Sequence, residues 1–215
     1  GIYRTGLHDD LKIPLVGATP ARIRMPHRNS HGQYDNWAKT SLPWMSIGYE
    51  TQVPPISTLT FYNTIANNGK MMRPRFVSKV MKNGETIMEF PPEVMRQQIA
   101  KEKSIKELQT ILEQVVSVGL GKKAGSPNFK VAGKTGTAQI SKGAGGYKSG
   151  GTSYLISFAG YFPADAPRYS CIVCIQKSGL PASGGTMCGK VFHEISEGIM
   201  AQSLKVDVKD ARDSA

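Results

Sequence analysis

The chain has 215 residues, with 27 lysines and arginines against 16 aspartates and glutamates, a formal net charge of +11. That length suffices for one sizeable core, and 40% hydrophobic with 20% charged residues is a globular composition, not that of a disordered chain or a stapled mini-protein. The longest mostly apolar stretch, Tyr154 to Ala164, falls far short of the roughly 18–20 residues that cross a bilayer, and no basic segment followed by an apolar one opens the chain. Three cysteines leave at least one thiol unpaired. Cys171 and Cys174 lie three apart in a β-branched run, so a strand would point them to opposite faces, and packing is expected over zinc or redox chemistry. His8, His27, His31 and His193 have no ligand spacing, so neither a metal nor a cofactor is expected.

Residues 1–50 read as loops, punctuated by Pro14, Gly17, Pro20, Pro26, Gly32 and Pro43. Residues 51–125 read as a helical lobe with a small hairpin. Its first helix starts at Pro54-Pro55, ends at Gly69, and carries Ile56, Leu59, Tyr62, Ile65 and Ala66 on one face. Asn83-Gly84 between 75–82 and 85–90 predicts a type I′ hairpin. Ser104 to Glu107 spells a capping box, and Ile105, Leu108, Leu112, Val115 and Val116 then repeat at helical spacing until Gly119, predicting an amphipathic second helix packed on the first.

Residues 126–205 change to strand texture: Phe129 to Ile140, Ser153 to Phe162 and Tyr169 to Lys177 predict an antiparallel meander, narrow for a chain of this length. A glycine-rich, mobile link is expected at 142–151, a tight turn at Pro163 to Pro167 and a loop at Ser178 to Thr186. Val191, Phe192, Ile195, Ile199 and Met200 mark a closing helix, and 206–215 read as a frayed tail. The fold class is therefore α+β, an antiparallel sheet with a helical lobe and a C-terminal helix.

Val131 to Gln139 carries the chemistry. Gly133-Lys134-Thr135 matches the end of a phosphate loop, but that loop needs a glycine at 128, where Asn128 stands, and a helix where Gly136 follows. The other reading is K-T-G on an edge strand of a serine acyl-transfer enzyme. Gly136 would let an extended peptide lie against the strand and bond its main chain. Lys134 supplies a cation, Thr135 and Thr137 offer hydroxyls to a carboxylate, and main-chain N–H groups can face an oxyanion.

Several blocks together resemble the C-terminal part of the transpeptidase domain of class B penicillin-binding proteins, a β-lactamase-like fold. They are Ser46-Ile-Gly-Tyr49, Val53-Pro-Pro-Ile56, Phe61 to Gly69, Lys70 to Pro74, Ala132 to Gln139, Ser157 to Asp165, Gly184-Gly185 and Val191 to Ile195. The ending leans toward the septal, division-type branch. The resemblance implies a peptidoglycan D,D-transpeptidase. Lys134 and Thr137 would be its catalytic residues, and Thr135, Gly136, Ala138 and Gln139 its substrate-binding positions. The implied partners are D-Ala-D-Ala stem peptides and β-lactams. The parent would be membrane-anchored and extracytoplasmic, working with cell-wall synthesis partners. No serine here has lysine three residues later, so the nucleophile's S-x-x-K is expected upstream and this chain alone is expected to be inactive. The S-x-N string Ser126-Pro-Asn128 lies too near Lys134 for the family's second motif and reads as a proline turn. A β-lactamase or β-lactam sensor shares the K-T-G sheet and stays open as an alternative. A basic polyanion-binding module is weaker: the positive residues form no dense run, so nucleic acid is not an expected partner. A fragment lacking part of its sheet would expose an edge and an apolar face, inviting self-association.

Overall fold

The computed structural model describes residues 1–140 and 152–213, with side chains described through residue 204. The link expected at 142–151 lies outside the described residues.

The N-terminal fifty residues hold more regular structure than their prolines suggest. Helix α1 spans Ile2–Thr5, α2 spans Ser41–Ser46, and strand β1 (Arg22–Ile23) pairs antiparallel with β2 (Thr51–Gln52). Pro43 does not break α2 because it sits in the first turn, where its missing N–H is not needed. Two guanidinium groups anchor this segment. Arg96 grips both Asp9 oxygens through Nε and Nη2 at 2.6 and 2.8 Å, and these bonds hold the carboxyl below the usual carboxylate range. Arg73 pairs with Glu93 and donates to the Leu11 carbonyl at 2.9 Å.

Helix α3 spans Pro55–Ala66, with proline in its first turn as expected. Gly69 follows at φ +95°. The fully buried residues of α3 are Ser57, Thr60, Thr64 and Ile65: of the apolar face read from the sequence Ile65 is buried and Tyr62 and Ala66 pack against the core, while Ile56 and Leu59 are half-buried and three hydroxyl residues go inside instead. The buried hydroxyls remain satisfied because Thr60 and Thr64 donate to the carbonyls four residues back, at 2.8 and 2.7 Å. Strands β3 (Met71–Met72), β4 (Lys79–Lys82), β5 (Glu85–Glu89) and β6 (Val94–Arg96) form two ribbons, β3 with β6 and β4 with β5. The turn of the second has Asn83 at φ +51° and Gly84 at φ +85°, as a type I′ hairpin requires.

Helix α4 spans Glu102–Ser117 and starts before Ser104, so the capping box does not form: the helix N-cap is Lys101, with no side-chain bond. Glu102 in the first turn compensates, complementing the helix dipole and pairing with Lys106 at 2.6 Å. Helix α4 packs on α3 around Ile65 and Leu112, and Gln109 donates to the Ile65 carbonyl at 2.7 Å, beside the Asn68 N–H that the same carbonyl accepts at 3.2 Å.

Strands β7 (Ala132–Ile140), β8 (Ser153–Phe162) and β9 (Tyr169–Ser178) form the antiparallel meander, in that spatial order. The first starts three residues later than expected, because the Lys130 carbonyl is taken by Ala164 N–H at 2.8 Å. Gly184–Cys188 forms a π-helical turn, where only loop was expected, and runs into α5 (Gly189–Asp213). Residues 206–213, read as a frayed tail, are thus helical.

Alternation along β8 builds two cores. Ile156, Phe158 and Phe162 pack against Phe192 of α5, with ring centroids 4.8 Å from Phe158 and 5.6 Å from Phe162. Tyr161, with Ala132, meets Ile65 and Leu112 on the lobe side. The sheet thus lies between the lobe and α5. Cys171 is half-buried and Cys174 exposed, on opposite faces as the spacing predicts, and all three thiols are free. Ser126 and Asn128 both donate to the Glu197 carboxylate of α5, at 2.5 and 3.1 Å, so the S-x-N string is a structural turn.

Burial pushes the Tyr161 phenol up to about 12, with the Glu113 carboxylate adding to the effect. A phenol whose folded pKa exceeds its unfolded one stabilises the fold fully below about pH 10 and ceases to do so as pH rises through about 12. Urea denaturation near pH 8 and near pH 11 is expected to show a smaller alkaline loss for Tyr161→Phe than for wild type; equal losses would refute this assignment.

Candidate active site

The site is built on the open edge of β7. The Gln139 N–H donates not to β8 but to the Tyr49 hydroxyl, at 3.2 Å. Main-chain direction alternates along a strand, so Thr135 and Thr137 present their N–H and C=O groups on the same open side. Lys134, Gly136 and Ala138 direct their main-chain groups to β8, opposite Ala159, Ser157 and Leu155. The edge therefore offers two consecutive donor and acceptor pairs to an extended ligand.

Side chains alternate in the opposite sense, across the two faces. Thr135 and Thr137 lie on the α5 side. The Thr137 hydroxyl oxygen accepts the Gly184 N–H at 3.4 Å. Exposed Lys134 reaches over the edge, and its Nζ donates to the Thr135 carbonyl at 3.0 Å and to Thr135 Oγ1 at 3.3 Å. The structure thus brings Lys134, Thr135 and Thr137 together at one edge, with a cation, two hydroxyls and the Thr137 N–H near one another. Gly136 faces Ser157 on the lobe side, where a methyl group would press on the serine hydroxyl. Ala138 is exposed and Gln139 half-buried at the far end of the strand.

Two glycines unassigned by motif reasoning hold this edge. A methyl group on Gly184 would overlap the carbonyl oxygens of Gly136 and Ser157, and one on Gly185 would overlap the Leu120 carbonyl. Hydrogen at Gly184 lets the π-helical turn press against the sheet, and hydrogen at Gly185 lets it press against the Leu120 main chain. Their adjacency was the signal, legible as a block but not as a close approach.

Beyond Ala138 a groove of about 1250 Å³ continues to the β1–β2 ribbon, lined among others by Tyr49, Arg22, Arg24, Glu50 and Gln139. Arg24 Nη1 donates to Glu50 Oε2 at 3.0 Å. None of these except Gln139 was assigned from the sequence, because their proximity to β7 arises from segments ninety or more residues away, as between Tyr49 and Gln139.

Among the described residues no serine hydroxyl is hydrogen-bonded to a lysine ammonium, and no cluster of three histidine, cysteine or acidic side chains could hold a metal. The arrangement can pair with an extended peptide, bind its carboxylate and donate a main-chain N–H to a developing oxyanion.

The family described as the penicillin binding protein transpeptidase domain matches residues 19–197. Penicillin-binding protein PbpB of Mycolicibacterium smegmatis is 30% identical over 177 residues, which cover 77% of this chain and 27% of that protein. Stage V sporulation protein D of Bacillus subtilis is 29% identical over 155 residues, 70% of this chain and 23% of the relative. Among solved structures, penicillin binding protein 3 of Mycobacterium tuberculosis in complex with aztreonam superposes with a TM-score of 0.75 at 26% identity, covering 94% of this chain and 45% of that one. The transpeptidase domain of Burkholderia pseudomallei penicillin-binding protein 3 gives 0.65 at 27% identity, covering 95% and 56%. The chain spans about a quarter of the length of the curated relatives it matches. With the edge geometry of β7 and a family match over most of its length, this chain belongs to the transpeptidase domain family of class B penicillin-binding proteins.

Proposed function

We propose that this chain is the carboxylate-binding and strand-pairing part of a peptidoglycan D,D-transpeptidase. The observation that carries this reading is the open edge of β7, with Lys134, Thr135 and Thr137 gathered on it. A stem peptide ending in D-Ala-D-Ala lies along the edge, its terminal carboxylate held by the Lys134 ammonium and the two threonine hydroxyls. A serine supplied from outside these 215 residues attacks the penultimate D-Ala carbonyl. Negative charge gathers on the carbonyl oxygen, where the Thr137 N–H is one arm of the oxyanion hole. The bond to terminal D-Ala breaks, D-Ala leaves with a proton, and the amine of a second stem displaces the serine from the acyl-enzyme. β-Lactams acylate the same serine; the solved relative from M. tuberculosis is complexed with aztreonam in one structure and ampicillin in another.

The parent acts on the extracytoplasmic side of a membrane that anchors it, with a septal role. Support for the location comes from the substrate, and for the septal role from relatives named FtsI and its homologue. No described helix of the chain is long and apolar enough to cross a membrane. On the lobe side of the sheet, exposed Leu155 and Cys174 mark the region where the serine-bearing helix would sit.

Incubated with a labelled penicillin, the 215-residue chain is expected to show no adduct by intact mass, and the full-length protein one adduct. A stoichiometric adduct on the short chain would refute placement of the nucleophile elsewhere. In the full-length protein, Lys134→Ala should slow acylation by about 10²-fold or more; unchanged kinetics would remove Lys134 from the mechanism. Gly184→Ala should slow acylation by about tenfold or more, since the added methyl displaces β7 at Gly136; wild-type rates would show that the close approach is dispensable. The short chain should also self-associate through the outer edge of β9 and the lobe-side sheet face. Sedimentation as a clean monomer at high concentration would count against that.

A further inference from the structure

Tyr49 is held at the site by an unusual amount of structure. It follows Gly48 at φ +96° and precedes Glu50 at φ +56°, and a non-glycine residue in that left-handed region is strained. Arg24 retains Glu50 through the 3.0 Å ion pair. The Tyr49 N–H donates to the Trp44 carbonyl at 3.1 Å, and the Trp44 ring packs edge-on against the phenol at 5.2 Å. These contacts bring the Tyr49 hydroxyl to the Gln139 N–H on the open edge of β7.

That group is the next donor along the edge after those of Thr135 and Thr137. A peptide strand pairing with β7 has few registers to choose from. A shift of one residue turns every side chain to the other face. A shift of two toward the end of β7 keeps the faces but requires the Gln139 N–H, which the phenol already occupies. We propose, building on the transpeptidase reading, that Tyr49 is a positioning residue that closes the pairing edge of β7 beyond Ala138 and so sets the register of an extended peptide ligand. The ligand class is a stem peptide long enough to pair past Thr137. A penicillin, with a compact ring system and one short amide arm, bonds at Thr137 and does not depend on the closure.

The test uses the full-length protein and Tyr49→Phe, which keeps the ring against Trp44 and removes the hydroxyl. Hydrogen exchange at the Gln139 amide is expected to accelerate about tenfold. The KM for a stem pentapeptide should rise about fivefold, with kcat and the penicillin acylation rate within about twofold of wild type. Arg24→Gln, which frees Glu50 without touching the phenol, should raise the same KM by a smaller factor. An unchanged pentapeptide KM in both variants overturns the proposal, and so does unchanged exchange at Gln139. Loss of penicillin acylation together with a lowered Tm also overturns it, since Tyr49 would then only support the fold. A wild-type protein that reacts with neither penicillin nor pentapeptide refutes the transpeptidase reading instead, and the exchange measurement then decides by itself whether Tyr49 closes the edge.

Discussion

The site depends on β7 being paired on one side only. Its pairing with β8 runs unbroken from Ala132 opposite Tyr161 to Ile140 opposite Ser153. That ladder takes the main-chain groups of every second residue and leaves those of Thr135 and Thr137 directed outward. A bare edge is ordinarily a liability, a template for unwanted pairing. Here the same outward groups are the proposed binding surface, and the problem becomes one of keeping the edge rigid while leaving room beside it.

Rigidity comes from behind and from the faces. Behind, β8 is the central strand, and its Phe158 and Phe162 are locked between the sheet and Phe192 of α5. On the α5 face, Gly184 presses its main chain against Gly136 and Ser157 and donates to the Thr137 hydroxyl. On the lobe face, Ala132 is buried with Ile65, Leu112 and Tyr161. A shift in any of these layers would reach the edge, because close-packed interiors transmit displacement rather than absorb it. The far end of the edge relies on a different support: the Asp9–Arg96 and Arg73–Leu11 contacts anchor the N-terminal segment that leads to β1, and β1 with β2 walls the groove beside Tyr49.

Legibility in the sequence followed the range of the interaction. The K-T-G edge strand, the meander, the Asn83-Gly84 turn and the closing helix are written in periodicity and turn chemistry, which act over a few residues. Some local patterns failed because another local interaction took their place. Ser104 has the capping pattern, yet α4 begins earlier, with Glu102 in its first turn. The apolar stripe of α3 was read from Ile56, Leu59, Tyr62, Ile65 and Ala66; Ile65 is buried, and Thr60 and Thr64 go inside with it because each satisfies its own hydroxyl on the helix. The elements of 1–50 are two to six residues long, too short to show a period.

The sequence by itself carried the candidate chemistry: a lysine, two threonines and a glycine in one short strand, in an order that alternation turns into an edge with outward main-chain groups. It also determined what these 215 residues lack, a serine followed three residues later by lysine. The tertiary structure alone decided which side of β7 stays open, that Gly184 must be glycine, and that Tyr49 stands at the end of the edge. Each of these is a contact between segments far apart in the chain, and no pattern of neighbouring residues encodes it.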